Sequence, residues 1–484
     1  MLSKKYRIVL LFLAAAFMPA LSSAKKKPIK LNSVNPHYFT FRGKPTVLIT
    51  SGEHYGSVLN LDFDYINYLK ELSSKKLNLT RTFTGAYVEP PGAFSITSNV
   101  LAPRSGRFIC PWERSTAPGY QGGGNKFDLS KWDEAYFSRL KDFLRRAQKR
   151  GIVVELALFC PFYDESQWKI SPMNGINNIN NVGNLDRESV YTLNATNNLL
   201  IVQKELVRRI VNELKDFDNL IYEICNEPYF GRVTLEWQRQ IASQIKETEK
   251  GFKSPHLISQ NIANNTQKIE QPDPAVSVFN FHYATPPVAV AENYALNKVI
   301  GDNETGFKGN ADETYRMQGW LFILAGGALY NNLDYSFAVS KEDGTFSYNS
   351  TQPGGGSVNL RKQLSYLKHF IEGFDFIQMR PDLSFVSEKF DPETGLQGLA
   401  EPGKQYALYL YGEVKKEIAV TLPSGRYRSV WINTLTGKEK KDSSFKHTGG
   451  TVRLSSPAYV KDIALSIKGV SVSFISRDGA CYRL

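Results

Sequence analysis

The sequence predicts a closed (β/α)8 barrel followed by a small antiparallel β-sandwich. Three observations carry that prediction. Eight short apolar runs alternate with amphipathic helical stretches between residues 46 and 376. The long connections all follow strands, whereas the turns from helix back to strand are short. From Leu383 onward the helical pattern stops and short alternating strands take over.

The first residues stand outside that fold. Lys4, Lys5 and Arg7 form a basic start and Ile8 to Leu21 a short apolar stretch. Leu21-Ser22-Ser23-Ala24 supplies small residues for cleavage before Lys25-Lys26-Lys27. This is the pattern of a secretory signal peptide over residues 1–24. The apolar stretch is shorter than the roughly 20 residues that span a bilayer, and it holds no cysteine for a lipid. A periplasmic or secreted protein is expected, with no membrane anchor after cleavage.

The barrel is assigned to residues 25–382. "HYFTFRGKPTVLIT" (37–50) reads as a hairpin turning near Gly43, whose second strand enters the first barrel run. The eight runs are "TVLIT" (46–50), "LNLTRTF" (77–83), "IVVELALF" (152–159), "LIYEIC" (220–225), "LISQN" (257–261), "VSVFNFHY" (276–283), "KVIGDN" (298–303) and "ALYNNLD" (328–334). Between them, Phe137, Leu140, Leu144 and Ala147 recur at helical spacing in 129–150, with Asp128 or Ser130 as candidate caps. Leu199, Val202, Leu206, Ile210 and Leu214 do the same in 198–215, and Asp312-Glu313 suit the start of a helix over 312–325. "TQKIEQPDPA", between the fifth and sixth runs, offers little helix.

Eight such units, with runs apolar enough to be buried on both faces, suit a closed TIM barrel. A doubly wound open sheet is the alternative. It usually has fewer strands and a Gly-rich phosphate turn after the first, but the first run here leads into "SGEHYG" (51–56). The long connections, 84–127, 160–190 and 335–358, fall at the end where a barrel builds its active face. After a last helix near 359–376, residues 383–484 read as the sandwich, with strands in 406–412, 417–423, 427–437, 451–456 and 461–468 and Trp431 in its core.

With 42% hydrophobic and 12% aromatic residues the chain can bury a large core. Removing the signal takes away three positive charges and lowers the formal net charge from +12 to +9. No dense Lys/Arg run with interleaved aromatics points to nucleic acid. The excess is either a solvated basic surface or an affinity for an acidic glycan. Cys110, Cys160, Cys225 and Cys481 lack the paired spacing of a zinc site. No metal or cofactor is called for, and a monomer is expected.

Candidate chemistry sits at two strand ends. "IYEICNEPYF" (221–230) breaks from an apolar strand into Asn226-Glu227-Pro228, and "VIGDNETGF" (299–307) places Glu304 at the end of the seventh. Ends of strands four and seven face each other across a barrel mouth. Two opposed carboxylates, one protonated and one ionised, suit glycosidic cleavage, and apolar walls with an ionised neighbour should raise the acid's pKa.

"YEICNEP" with a glutamate ending the seventh strand resembles the clan A retaining glycoside hydrolases, which include the family 5 cellulase-like enzymes. The resemblance covers roughly residues 28–380. It implies that Glu227 is the acid/base, Glu304 the nucleophile, and Asn226 a partner of the sugar 2-hydroxyl. It also implies roles for Arg81 beside the nucleophile and for the pair His282 and Tyr283, which the family separates by one residue. Adjacent residues should face opposite sides of a strand, so only one of the two is expected in the site. Glu53, His54, Gln260, Asn261, Asn331 and Asp334 are candidates to line the sugar pocket, and Trp112, Trp168 and Trp320 to stack on sugar rings. Trp132 and Trp237 read as packing residues, and Glu155 and Glu223 as members of a buried ion pair. "YALYLYGE", "VTLP" and "VWINTLTGK" resemble the β-sandwich that follows many such bacterial barrels and is labelled collagen-binding. Together these readings predict a secreted retaining glycosidase acting on β-glycosidic bonds of a polysaccharide or oligosaccharide, acidic or neutral. An inactive barrel that only binds glycan is the alternative.

Overall fold

Each of the eight apolar runs forms a parallel strand: β1 (Leu48–Gly52), β2 (Leu79–Phe83), β3 (Val153–Phe159), β4 (Leu220–Cys225), β5 (Leu257–Asn264), β6 (Val278–His282), β7 (Val299–Thr305) and β8 (Leu329–Leu333). The computed structural model describes residues 27–193, 198–348, 353–387, 395–412 and 417–470, with two short strands at 474–475 and 481–482. The expected signal peptide lies outside these residues. The strands pair in the order β1-β8-β7-β6-β5-β4-β3-β2. Asn78 closes the seam between β1 and β2: its Oδ1 accepts from Ile49 N (3.0 Å) and its Nδ2 donates to Val47 O (2.8 Å).

Among the described residues seven helices pack in the crossovers: α1 (Tyr65–Ser74), α2 (Glu134–Lys149), α3 (Leu199–Leu214), α4 (Leu235–Thr248), α5 (Val288–Asn293), α6 (Asp312–Leu324) and α7 (Val358–Glu372), and a further short helix, Glu165–Ile170, lies in the loop after β3. None follows β5, as its Pro-containing connection predicts. The N-cap of α2 is Asp133, not Asp128 or Ser130. Residues 125–132 instead pair with 112–118 in a hairpin above the barrel, where Asp128 binds Ser130 and Asn180. No described helix is long and apolar enough to cross a membrane. Cys110, Cys160 and Cys225 are free and buried.

The first strand ends on a carboxylate that sequence reading placed in the sugar pocket. Glu53 is instead fully buried behind it, where its oxygens accept from Gly56 N, Ser57 N and Ser57 Oγ and brace the turn that carries His54 and Tyr55. Asp334, at the end of β8, is equally structural. It binds Ser51, Ser336 and the buried Arg361, which also reaches Glu71 of α1.

The C-terminal domain is antiparallel. β9 (Arg380–Pro381), β10 (Leu396–Glu401), β11 (Gln405–Tyr411), β12 (Glu417–Leu422), β13 (Gly425–Ile432), β14 (Glu439–His447), β15 (Gly450–Ser455) and β16 (Asp462–Gly469) form one sheet in the order β9-β10-β11-β16-β13-β14 and a second from β12 and β15. Two-residue alternation gives the larger sheet two apolar faces. Tyr406, Leu408, Leu410, Leu465 and Ile467 join Trp431 in the sandwich core. Leu399, Ala407, Tyr409 and Ala464 join the core of the barrel. Trp320 of α6 is therefore not a sugar platform. It is fully buried at this junction, stacked on Tyr409 (5.4 Å between centroids). Beside it Arg316 and Asp462 form a buried ion pair at 2.7 Å, and Tyr409 Oη donates to Asp462 (3.1 Å).

Two predictions follow from these burials. Asp462→Ala leaves Arg316 buried without a counter-charge, a loss of about 3–5 kcal/mol, and deletion from residue 383 strips a cover from α6 and should give insoluble or heat-labile protein. Urea unfolding of Asp462→Ala indistinguishable from wild type, or a soluble barrel of unchanged melting temperature, would overturn the buttress. The second prediction concerns Glu53, whose pKa burial raises from 4.5 to about 7 against its hydrogen bonds to Ser57 and Gly56. A raised folded pKa gives stability that is full below pH 4.5 and lost as pH climbs to about 7, here about 3 kcal/mol. Glu53→Gln removes that contribution, so its stability should fall less across this window. Parallel pH curves for variant and wild type would refute it.

Candidate active site

Glu227 and Glu304 meet where β4 and β7 open into the barrel mouth. One oxygen of each, with a His282 ring nitrogen, lie within 4.8 Å of one another. A shallow left-handed turn makes this possible. Asn226 and Glu227 are neighbours and would face opposite ways in an extended strand, but Glu227 has φ +34° and both side chains line the cavity. Tyr283 repeats the device with φ +54°, its N–H bonded to Glu304 O (2.9 Å). This corrects the expectation that only one of His282 and Tyr283 serves the site. Both do, because the chain has left the strand at the second residue.

Glu304 is held by three donors. Arg81 Nη1 (3.1 Å) and Tyr55 Oη (3.1 Å) reach Oε2, and Tyr283 Oη (2.9 Å) reaches Oε1. Arg81 is buried beneath the cavity rather than in its wall. Its Nε and Nη2 bind Glu223 and its Nη2 also binds Asn226 Oδ1 (2.6 Å). Glu223 is thus in the ion pair expected of it. Glu155 has no cation and accepts instead from Ser259, Asn280 and Asn303 (2.7–3.0 Å). Gly301 is needed there, since a Cβ would lie 2.2 Å from Asn280 Oδ1.

Glu227 accepts from His282 Nδ1 (3.0 Å), Tyr229 Oη (3.1 Å) and Tyr163 Oη (2.6 Å). Burial by itself would raise its pKa, but these three donors outweigh burial and hold it below the ordinary glutamate value. The expected upward shift is therefore not found in the ligand-free site, and the reason is the number of donors. His282 moves the other way. Burial disfavours its charge, yet Glu304 and Glu227 raise its pKa above the usual histidine value. Asn261 donates to His282 Nε2 (2.6 Å), which leaves the ring proton on Nδ1 facing Glu227. The three groups are close enough to gather a cation, but every nitrogen and oxygen among them already faces a hydrogen-bond partner.

The cavity holds about 310 Å³ and is lined by His54, Tyr87, Glu89, Phe94, Tyr163 and Phe230, among others. His54 lies where sequence reading put it, with neither ring nitrogen hydrogen-bonded and Glu89 at 3.6 Å. Asn261 and Asn331 do not line this cavity. Asn261 positions His282, and Asn331 binds Asn303 O (2.9 Å) and approaches Tyr55 Oη (3.4 Å). Gln260 turns away to Gln238. The tryptophans are also elsewhere. Trp112 is fully buried in the hairpin opposite Trp132, and Trp168 packs on Phe162 with Nε1 bonded to Leu185 O (2.9 Å). Trp237 is packing, as expected, bonded to Gln203. Among the described residues, the exposed aromatic side chains that line the cavity are Phe94, Phe230 and Phe307. Tyr163 and Tyr229 were missed because loop tyrosines carry no periodic signal, although Tyr229 lies two residues beyond Glu227.

A model of the family Cellulase (glycosyl hydrolase family 5) matches residues 106–298, which include Glu227 and His282 and stop just before β7. A glycoside hydrolase family 5 structure from Bacteroides vulgatus shares the fold at TM-score 0.64 and 12% identity, over 91% of this chain and 93% of its own. A second structure, described as a glycoside hydrolase, does so at TM-score 0.63 and 14% identity, over 92% and 97%. No curated protein matches the sequence. The chain is thus similar to family 5 glycoside hydrolases over part of its barrel and shares their fold, with two glutamates facing each other at the barrel mouth.

Proposed function

We propose that the chain is a secreted retaining glycosidase that cleaves β-glycosidic bonds of an oligosaccharide or polysaccharide by double displacement. The observation that carries this reading is the approach of Glu227 and Glu304 within 4.8 Å. Retaining enzymes hold their carboxyl groups about 5–5.5 Å apart, and inverting ones about 6.5–9.5 Å to admit a water. Glu304, its charge stabilised by Arg81, attacks the anomeric carbon as the bond to the leaving oxygen breaks. Glu227 gives that oxygen a proton. Water then enters, Glu227 takes a proton from it, and the new C–O bond releases Glu304.

Glu227 must hold a proton for the first step and lose it for the second. Tyr229 Oη stands between Glu227 and Asn264 (2.5 Å) and is partly exposed. A leaving group entering from this side displaces that hydroxyl, removes one donor to the carboxylate and favours its protonation. Asn226 lines the cavity beside Glu304 and is placed to bind the sugar 2-hydroxyl, with Tyr163 and Arg81 fixing its amide.

The assignment is tested by chemical rescue. Glu304→Ala should abolish turnover. Glu227→Ala should lose roughly 10²–10⁴-fold on natural glycosides and much less on aryl glycosides whose leaving group needs no proton. Azide should rescue Glu227→Ala with retained configuration and Glu304→Ala with inverted configuration, followed by NMR of the anomeric proton. An inverted product from wild type would sink the nucleophile role of Glu304. Export is tested separately: mature protein from the native host should begin near Lys25, and recovery of Met1 outside the cell or a wholly cytoplasmic location would refute the signal peptide.

A further inference from the structure

Beyond the catalytic cavity lies a second, larger groove of about 670 Å³, bounded by residues 88–106, the hairpin 112–132 and the loop 53–63. Glu89 lines both spaces, so the groove adjoins the catalytic cavity.

Its charge is uneven. At the catalytic end Glu89 is compensated by His54 and accepts from Tyr87 Oη (3.0 Å) and Asn99 Nδ2. Farther out Arg104 and Arg107 share one carboxylate, Asp62, at 2.8 and 2.6 Å. Arg114 has none. It lines the groove, gives one described hydrogen bond, from Nη1 to Asn125 O (2.7 Å), and pairs with no carboxylate among the described residues. Of the two guanidinium groups lining the groove, Arg104 therefore shares Asp62 with Arg107, and Arg114 is paired with neither Asp62 nor Glu89. The Arg114 head is also fixed before any ligand arrives, with its guanidinium carbon 3.9 Å from the Phe127 centroid and 4.5 Å from that of Tyr120. A half-buried, pre-positioned guanidinium with no carboxylate in ion-pair contact among the described residues, beside aromatic faces and the polar groups of Ser98, Ser105 and Gln121, offers what a carboxylated sugar needs.

We propose that this groove is a distal subsite for a uronic acid unit of the glycan, with Arg114 as its principal carboxylate ligand and Arg104 as its second cation. The inference rests on the glycosidase reading for the direction of the chain. It places the acidic unit away from the bond cleaved, because Arg104 and Arg114 line the groove and not the catalytic cavity.

The test is affinity electrophoresis of the Glu304→Gln protein, which binds without turnover, in gels containing glucuronoxylan, pectin or alginate, each beside its carboxyl-reduced form. At least one acidic polymer should bind about tenfold or more tightly than its reduced counterpart, and the preference should weaken with salt. Arg114→Gln should remove it. Arg104→Gln, at a side chain 78% exposed and so safe for the fold, should reduce it. Lys438→Gln with Lys440→Gln removes twice the charge of either arginine variant from the exposed edge of the sandwich and should change binding less than about twofold. No preference for any acidic form, or equal loss from the lysine control, would overturn the subsite. Wild-type hydrolysis of aryl glycosides without carboxylate selectivity overturns the subsite alone. Selective binding in a chain without turnover upholds the subsite and overturns the glycosidase reading.

Discussion

One buried guanidinium organises the active face. Arg81 rises from β2 into the barrel and joins Glu223 on β4, Asn226 at the end of β4 and Glu304 on β7. Burial opposes its charge, but Glu223 and Glu304 hold it protonated far above the ordinary range. Breaking a buried pair by removing one partner typically costs about 3–5 kcal/mol. That cost ties three strands to one geometry, and the same guanidinium holds the Glu304 carboxylate in place. Stability and catalysis here draw on a single interaction.

The polar layer beneath extends this logic. TIM barrel interiors are usually filled by branched apolar residues, but this one carries Glu155, Glu223, Asn280 and Asn303, all fully buried. Asn303 bonds both carboxylates at 3.0 Å and receives the Asn261 amide, which in turn meets His282. A chain of directional bonds therefore runs from the barrel floor to Glu227. Such networks specify one arrangement because an unsatisfied member is expensive in a low dielectric. At the top of the same structure Glu227 and Tyr283 are among the non-glycine residues with positive φ, a strained geometry that turns both side chains into the site.

The sandwich belongs to the same mechanical unit. Its larger sheet donates Tyr409 and Ala464 to the barrel core, and Asp462 neutralises Arg316 inside the junction. α6, which begins shortly after β7 and Glu304, is thereby covered on its outer side. The long loops after β2, β3 and β8 are free to vary in shape because the scaffold under them is fixed from both directions.

The sequence by itself determined the eight strands, their order and the two strand-end glutamates, because each is a local signal: an apolar run, a turn, a polar break at the end of a run. It also marked Arg81, an improbable cation inside an apolar strand, and, through the family resemblance, the pair His282 and Tyr283. Only the tertiary structure decided what depends on which side chains meet. Glu53 and Asp334 look like rim carboxylates in sequence, yet fold behind the wall, where local N–H groups and Arg361 satisfy them. Trp112, Trp168 and Trp320 are large enough to stack on sugars, but burying that area in the hairpin, loop and domain junction is worth more than exposing it. The lowered pKa of Glu227 comes from Tyr163, Tyr229 and His282, which lie 64, 2 and 55 residues away in the chain. Hydrogen bonds across such separations leave no periodicity in a sequence, because they arise only when closure of the barrel brings separate strand ends to one mouth.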